Sequence, residues 1–153
     1  MPDAARAEGD CCKGLESALM LPVLAARAAA VVMVSIAAFQ VALVFGAPWG
    51  AYTQGGETEG ALDTSGRVIA AVSCAILLVM AAAILARARE GPLKNAPRRL
   101  VTALSWFTTI YSAVAVVINL ATQSSSERAV FAPTAILLFV LVVTTMVGSR
   151  RTS

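Results

Sequence analysis

Histidine is absent from the 153-residue chain, and cysteine occurs only as Cys11, Cys12 and Cys74. No pair of cysteines has the C-x-x-C spacing, so the sequence offers neither a zinc site nor a thiol–disulfide relay. No Asp, Glu or Lys lies deep within a long apolar segment, although an ion-coupled exchanger needs such a group to bind its coupling ion. We therefore predict no metal, no cofactor and no catalytic constellation.

Charged residues are also scarce, at 14% of the chain, whereas apolar residues make up 58% and the mean hydropathy is +0.77. A soluble domain carries roughly 45–50% apolar and about 25% charged residues. A domain this small has too large a surface fraction to bury the excess of apolar residues away from water. The composition therefore indicates a lipid bilayer as the partner. The net charge of +3 does not indicate nucleic acid, because no basic cluster is interleaved with aromatic residues.

Four long apolar segments follow one another along the chain, and each is close to the roughly 20 residues that a helix needs to cross a bilayer. They are continuously apolar and do not alternate, which excludes membrane-spanning strands. The sequence thus predicts an all-α membrane protein, a four-transmembrane-helix up-down-up-down bundle. The predicted parts are an amino-terminal tail (1–21), a transmembrane domain (22–149) with spans at about 22–45, 68–86, 100–121 and 130–148, and a carboxyl tail (150–153).

The distribution of Lys and Arg predicts the orientation of the bundle. Ten of the twelve lie in the amino-terminal tail, the first turns of helix 1, the connection between helices 2 and 3, or the carboxyl end. Only Arg67 and Arg128 lie on the opposite side, so the positive-inside rule places both termini in the cytoplasm. Arg27 falls about one turn inside the first span and is expected to snorkel. This span is too long for a signal-peptide core and no small-residue cleavage site follows it, so we expect it to be retained.

The two outer connections differ in length. Loop 1 (46–67) holds six of the ten glycines and exceeds the usual length of a structureless connection, which favours a functional or mobile segment. Its carboxylates Glu57, Glu59 and Asp63, and Glu127 beside loop 2 (122–129), are interpreted as solvated surface groups. The Ser124-x-x-Glu127 spacing predicts a capping box that opens helix 4, with Pro133 in the first turn.

One face of helix 3 carries regularly spaced polar residues. Lipid cannot hydrogen-bond such a seam, which should therefore face other helices, either as packing surface or as the lining of a cavity. The alanine-rich stretches 28–30 and 81–83 favour a tight bundle. The seam consists of Thr102, Ser105, Thr109, Ser112, Val116 and Asn119.

A polar pocket beneath loop 1 is one interpretation of the polar residues near the outer ends of the helices. Gln40, Asn119 and Arg67 would line it, capped by Trp49, Tyr52 and Gln54. In the alternative, Trp49 and Tyr52 are interfacial belt aromatics, and Gln40 and Asn119 hydrogen-bond to each other or to backbone. The candidate ligand-binding residues are Gln40, Trp49, Tyr52, Arg67, Ser112 and Asn119.

The stretch from Phe45 to Gly56, with Gly60-Ala-Leu62 and Arg67 after it, resembles the first outer loop of a group of small, uncharacterised four-helix membrane proteins of actinobacterial type. Their pattern is G-x-P-W-G-x-x-x-x-G-G, a downstream G-x-L and an arginine that opens helix 2. Asp63 stands where that pattern has proline. The resemblance implies a bacterial cytoplasmic (inner) membrane protein and no particular activity.

Two functional hypotheses follow. In the first, the protein is non-enzymatic and uses loop 1 and the helix 3 seam to bind a small hydrophobic ligand or a partner membrane protein. In the second, it is a small membrane-embedded transporter or enzyme with an outward-facing polar pocket at Gln40, Arg67 and Asn119. A preformed cavity lined by these three residues would favour the second hypothesis, and a filled bundle the first. No GxxxG motif within the predicted spans specifies an oligomer.

Overall fold

The computed structural model describes residues 2–56 and 58–149, with side chains from Met20 onward. Glu57 and the carboxyl tail (150–153), both assigned from sequence, lie outside the described residues. No strand occurs in the described ranges, and the predicted all-α fold is confirmed. The helices are α1 (Pro2–Val44), α2 (Thr64–Arg87), α3 (Arg98–Ala121) and α4 (Ser125–Gly148), with short 3-10 turns at Gly50–Tyr52 and Gln54–Gly56.

Each of the four helices contains a stretch apolar enough and long enough to cross a membrane, 25 residues in α1 (Met20–Val44) and 24 in each of the others. At 1.5 Å per residue, 24 residues extend about 36 Å, more than the roughly 30 Å of a hydrocarbon core. The chain is therefore a multi-pass integral membrane protein.

Helices α2 to α4 begin two to five residues before the predicted spans. For α2 and α4 the reason is capping: Asp63 and Ser124, in the polar loops, accept hydrogen bonds from Gly66 N–H (2.7 Å) and Glu127 N–H (3.2 Å), respectively. Helix α3 begins directly after Pro97, without a side-chain cap. Hydropathy marks the part of a helix that lipid surrounds, whereas the cap determines where the helix begins. Helix α1 likewise extends back through the charged tail to Pro2.

The helices pack in cyclic order, each against its neighbours in the chain, and α4 closes the ring against α1. The contact between α2 and α3 is the least extensive of the four. Where α4 ends, Gly148 lies so close to Pro22 of α1 that a Cβ on the glycine would be 2.7 Å from Pro22 Cβ. Below, this is called the terminal end of the bundle, and the opposite end is the loop 1 end.

The terminal half of the bundle is filled by an apolar core contributed by α1, α2 and α4. Small side chains let these helices approach closely, and longer ones fill the spaces between them. Ala29, Ala30, Ala81 and Ala83, from the two alanine-rich stretches, are buried. The core consists of Ala26, Ala29, Ala30, Met33, Ala37, Leu77, Met80, Ala81, Ile84, Leu138 and Val142.

Many large apolar side chains cover the outside of the bundle, as a lipid environment requires. Val31, Val117 and Ile118 are each more than 60% exposed, on helices α1 and α3. In water, an exposed apolar surface of this extent would promote association. In a bilayer the same side chains contact lipid tails.

Arg27, inside the membrane-spanning part of α1, pairs with Glu90, which follows α2. The guanidinium donates from Nη2 to Oε1 (2.6 Å) and from Nε to Oε2 (2.9 Å). The sequence predicts that Arg27 snorkels, but it does not predict Glu90 as its partner. The pair fastens α1 to the connection between α2 and α3.

Candidate functional site

Loop 1 folds into a compact structure over one end of the bundle. Gly50 N–H donates to Gly60 O (2.8 Å), which closes the loop on itself. Gly50 is buried, and a Cβ there would lie 2.5 Å from Thr58 O, so this close approach requires glycine. Gln54 Nε2 donates to Gly66 O (2.9 Å) and ties the loop to the first turn of α2.

Three contacts fasten loop 1 to loop 2 and the start of α4. Gly55 N–H donates to Glu127 Oε2 (3.2 Å), and Ser124 Oγ donates to Ala51 O (3.2 Å). Gly56 has a φ of +73°, and a Cβ there would lie 2.6 Å from Ser124 Oγ. Loop 1 therefore reaches from α1 across to α4 and covers the space between the helices.

The predicted capping box at α4 is half correct. Ser124 Oγ accepts from Glu127 N–H, but the Glu127 carboxylate accepts from Thr122 Oγ1 (2.8 Å) and Gly55 N–H instead of reaching back to Ser124. The expected place of Pro133 in the first turn is wrong, because α4 already begins at Ser125. Glu127 is thereby a link between the two loops and not the free surface group expected from the sequence.

Asp63 is the N-cap of α2. Its Oδ1 accepts from Gly66 N–H (2.7 Å), and Ser65 Oγ donates to both carboxylate oxygens. The bond from the Gly66 backbone, followed by that from Ser65, lowers the pKa of Asp63 below its ordinary value. A structural role thus accounts for this carboxylate.

An aromatic cluster connects loop 1 with α1 and α4. Trp49 stacks on Phe39 with ring centroids 5.8 Å apart and planes within 5° of parallel. Phe39 in turn contacts Phe131 at 5.4 Å in a tilted arrangement. Trp49 therefore supports loop 1 from its side, and its ring does not line the space beneath it.

Beneath loop 1 the bundle contains a partly open cavity of about 180 Å³. Tyr52 and Thr53 form its roof, and Leu77, Met80 and Leu138 separate it from the terminal half of the bundle. All four helices contribute to its wall. The lining residues are Ile36, Gln40, Tyr52, Thr53, Ser73, Leu77, Met80, Tyr111, Ser112, Ala115, Asn119, Glu127, Phe131, Thr134, Ala135 and Leu138.

Gln40, a lining residue of this cavity, has an unsatisfied amide oxygen. Its Oε1 is buried and accepts no hydrogen bond from the described part of the protein. Asn119, the other amide, donates from Nδ2 to Ala115 O (2.7 Å) on its own helix. The sequence offered the alternative that the two amides hydrogen-bond to each other or to backbone. This alternative is confirmed for Asn119 and wrong for Gln40.

The polar seam of α3 faces the bundle, but its hydroxyls bond to their own helix. Ser105 and Ser112 are fully buried and donate to Val101 O (2.7 Å) and Thr109 O (2.9 Å). Thr108, which sequence spacing did not include, is equally buried. Because these hydroxyl protons are used locally, each oxygen keeps acceptor capacity. Ser112 is also one of the residues that line the cavity.

Sequence reasoning missed Ser73 and Thr134, two polar residues that line the cavity. Ser73 and Tyr52 make no side-chain hydrogen bond to a described residue and are free to donate or accept. Thr134 donates to Val130 O (2.8 Å) and retains its lone pairs. Among the lining residues the structure describes, Glu127 alone is charged, and no Lys or Arg is present. The sequence did contain a signal for two of these groups, since Ser73 and Thr134 are isolated polar residues within apolar spans.

The six candidate residues divide into two groups. Gln40, Tyr52, Ser112 and Asn119 line the cavity, and their role in binding remains a prediction. Trp49 lies outside it, as does Arg67. The Arg67 Nε donates to Leu62 O (3.0 Å), and its guanidinium lies over Gly46 at the end of α1, 3.3 Å from where a Cβ would be.

Comparisons of the chain with protein-family models, curated proteins and solved structures gave no match. The chemistry of the cavity therefore carries the functional conclusion.

Proposed function

We propose that this membrane protein binds a small ligand in the cavity beneath loop 1 and catalyses no reaction there. The amide of Gln40 carries this proposal, because the Gln40 side chain lines the cavity while its buried oxygen has no hydrogen-bond partner among the described residues. Leaving a buried acceptor unsatisfied costs about 1–3 kcal/mol. A ligand that donates a hydrogen bond to this oxygen offsets that cost.

The size of the cavity restricts what it can hold. Its volume is about 180 Å³. Sites for drug-sized ligands usually enclose about 300–1,000 Å³. The cavity by itself therefore suits a small polar molecule or the polar part of a larger one.

The enzyme and transporter alternatives have less support. General acid–base catalysis typically needs two titratable groups with different pKa values, and Glu127 is the single carboxylate in the described lining. That carboxylate also bonds to Thr122 and Gly55. Transport would require a path past Met33, Met80 and Val142, which fill the terminal half. Arg67, assigned to the transporter pocket, lies outside the cavity.

The proposal includes an orientation and a location. The ten-to-two distribution of Lys and Arg supports cytoplasmic termini, so that loop 1 covers the cavity on the outer face. The loop 1 pattern that ends at Gly56 supports a bacterial inner membrane through its resemblance to actinobacterial-type proteins.

A thermal-shift screen of the detergent-purified protein against polyols, small amides and amphiphiles tests the proposal. A ligand that binds only the folded protein raises its unfolding temperature in a concentration-dependent way. Asn119→Ala, which changes the cavity wall, is expected to weaken this shift, whereas Arg67→Ala is the matched control outside the cavity and is expected to retain it.

Two results would contradict this proposal. A shift lost in Arg67→Ala but kept in Asn119→Ala would place the binding site outside the cavity. The absence of any shift across the screen would favour the other form of the first hypothesis, in which the bundle binds a partner membrane protein.

A further inference from the structure

A second concavity lies on the lipid-facing side of the bundle, in the groove between α1 and α4. It measures about 450 Å³ and is lined almost entirely by apolar side chains. Four of its residues, Ile36, Tyr52, Phe131 and Thr134, also line the cavity. The groove residues are Val31, Val32, Ser35, Ile36, Phe39, Tyr52, Val130, Phe131, Thr134 and Leu137.

The wall between groove and cavity consists of side chains. Ile36 comes from α1, Phe131 and Thr134 come from α4, and all three are half-buried. Because side chains alone form this wall, rotamer changes can open it without movement of a helix. A ligand could thus reach the cavity directly from the bilayer.

We propose that the ligand is a single-chain lipid with an uncharged, hydroxyl-bearing head. Its head lies in the cavity, and its chain lies in the groove between α1 and α4. This inference rests on the proposed function and specifies its ligand class and its route of entry.

The chemistry of the cavity determines the head group. The oxygens of Gln40 and Ser112 accept hydrogen bonds, while the hydroxyls of Ser73 and Tyr52 both donate and accept. Alcohol groups complement such a mixed lining. A phosphate or carboxylate would face Glu127 with no Lys or Arg among the described lining residues, and a buried unpaired charge is costly.

The dimensions of the two spaces fit such a lipid. The cavity alone is smaller than the usual ligand site, but cavity and groove together fall within the range of about 300–1,000 Å³. From Val31 to Phe39 the groove follows α1 for roughly 12 Å.

The groove also has the direction of a lipid chain. Val31 lies near the middle of the α1 span (Met20–Val44), whereas Phe39 lies near its loop 1 end. A chain in the groove would therefore run as lipid chains do in that leaflet, with its end at mid-bilayer and its head beneath loop 1.

The test is native mass spectrometry of the purified protein titrated with monooleoylglycerol, with oleic acid as the anionic probe of equal chain length. We expect one monooleoylglycerol per chain to bind at least about tenfold more tightly than oleic acid, which corresponds to about 1.4 kcal/mol. Gln40→Leu is expected to remove this preference.

Two variants of α1 test the groove. Ser35→Phe places a ring in the groove and is expected to weaken monooleoylglycerol binding about tenfold. Ala38→Phe adds the same ring at another exposed position that does not line the groove, and is expected to bind as the wild type does. Equal binding by Ser35→Phe and Ala38→Phe would overturn the groove assignment.

The remaining outcomes separate the two proposals. The lipid inference is wrong if monooleoylglycerol fails to bind or binds no better than oleic acid. Cavity binding still stands in that case if a water-soluble compound raises the unfolding temperature and the rise depends on Asn119. If neither kind of compound binds, both proposals are wrong.

Discussion

Arg27 and Glu90 are 63 residues apart in the chain, yet their side chains form two hydrogen bonds of 2.6 and 2.9 Å. Arg27 lies within the α1 span, where lipid offers its guanidinium no hydrogen-bond acceptor. The hydrogen bond from Arg27 lowers the pKa of Glu90 below its ordinary value. The folded protein therefore favours the ionised carboxylate more strongly than the unfolded chain does.

Replacement of Glu90 by Gln should change how stability depends on pH. Because the folded-state pKa is lowered, this stabilisation is fully present above the ordinary glutamate pKa of about 4.3 and is lost as the pH falls through the folded value. Thermal unfolding between neutral and acid pH should show that Glu90→Gln reduces stability at neutral pH and flattens the loss on the acid side. Glu59→Gln, at an exposed position in loop 1, is the charge-matched control and should behave as the wild type. An acid-side profile unchanged in Glu90→Gln would contradict the prediction.

The substitution Gln40→Leu should stabilise the ligand-free protein, by about 1–3 kcal/mol, because it removes a buried acceptor that has no partner. The same substitution should weaken ligand binding in the cavity, because the ligand loses one hydrogen bond. Thermal unfolding with and without ligand measures both effects. Gln123→Leu, at an exposed position in loop 2, is the control. If Gln40→Leu destabilised the ligand-free protein, the amide would support the fold and would not be an unpaired group available to a ligand.

Gly56→Ala should loosen loop 1 from α4. Its φ of +73° disfavours a side chain, and the added Cβ would lie 2.6 Å from Ser124 Oγ. Backbone strain of this kind costs about 1–3 kcal/mol, before the clash is counted. Hydrogen exchange of residues 50–56 should therefore be faster in Gly56→Ala than in the wild type.

Gly60→Ala separates strain from clash. Gly60 also has a positive φ, +93°, but a Cβ there has no neighbour within 4 Å. A smaller increase in exchange is expected for Gly60→Ala. Equal increases in the two variants would mean that the contact between Gly56 and Ser124 does not hold the loop.

Site-directed labelling tests the orientation. After replacement of the three native cysteines by serine, Ala61→Cys in loop 1 and Asn95→Cys between α2 and α3 each supply one exposed thiol. In right-side-out vesicles a membrane-impermeant maleimide should label Ala61→Cys alone, because the basic residues beside Asn95 favour the cytoplasmic side. Labelling of Asn95→Cys alone would reverse the topology and place the cavity on the cytoplasmic face.

The sequence already contained the fold and part of the cavity. Continuous apolar runs predicted four spanning helices, and the spacing on α3 predicted that Ser105 and Ser112 face the bundle, which their burial confirms. Gln40 and Asn119 were recognised because an amide near the end of an apolar span is conspicuous. Arg67 was also expected in the cavity, whereas its Nε donates to Leu62 O and it is not among the lining residues.

The sequence alone determined the number of helices, their approximate spans and the faces that avoid lipid, because these depend on composition and periodicity. What only the tertiary structure decided depends on which surfaces meet. The fold of loop 1 brings Gly55 to Glu127, and the approach of α4 to α1 places Phe131 against Phe39. The cavity and groove exist between elements far apart in the chain, and local spacing cannot encode a volume that is defined by long-range packing.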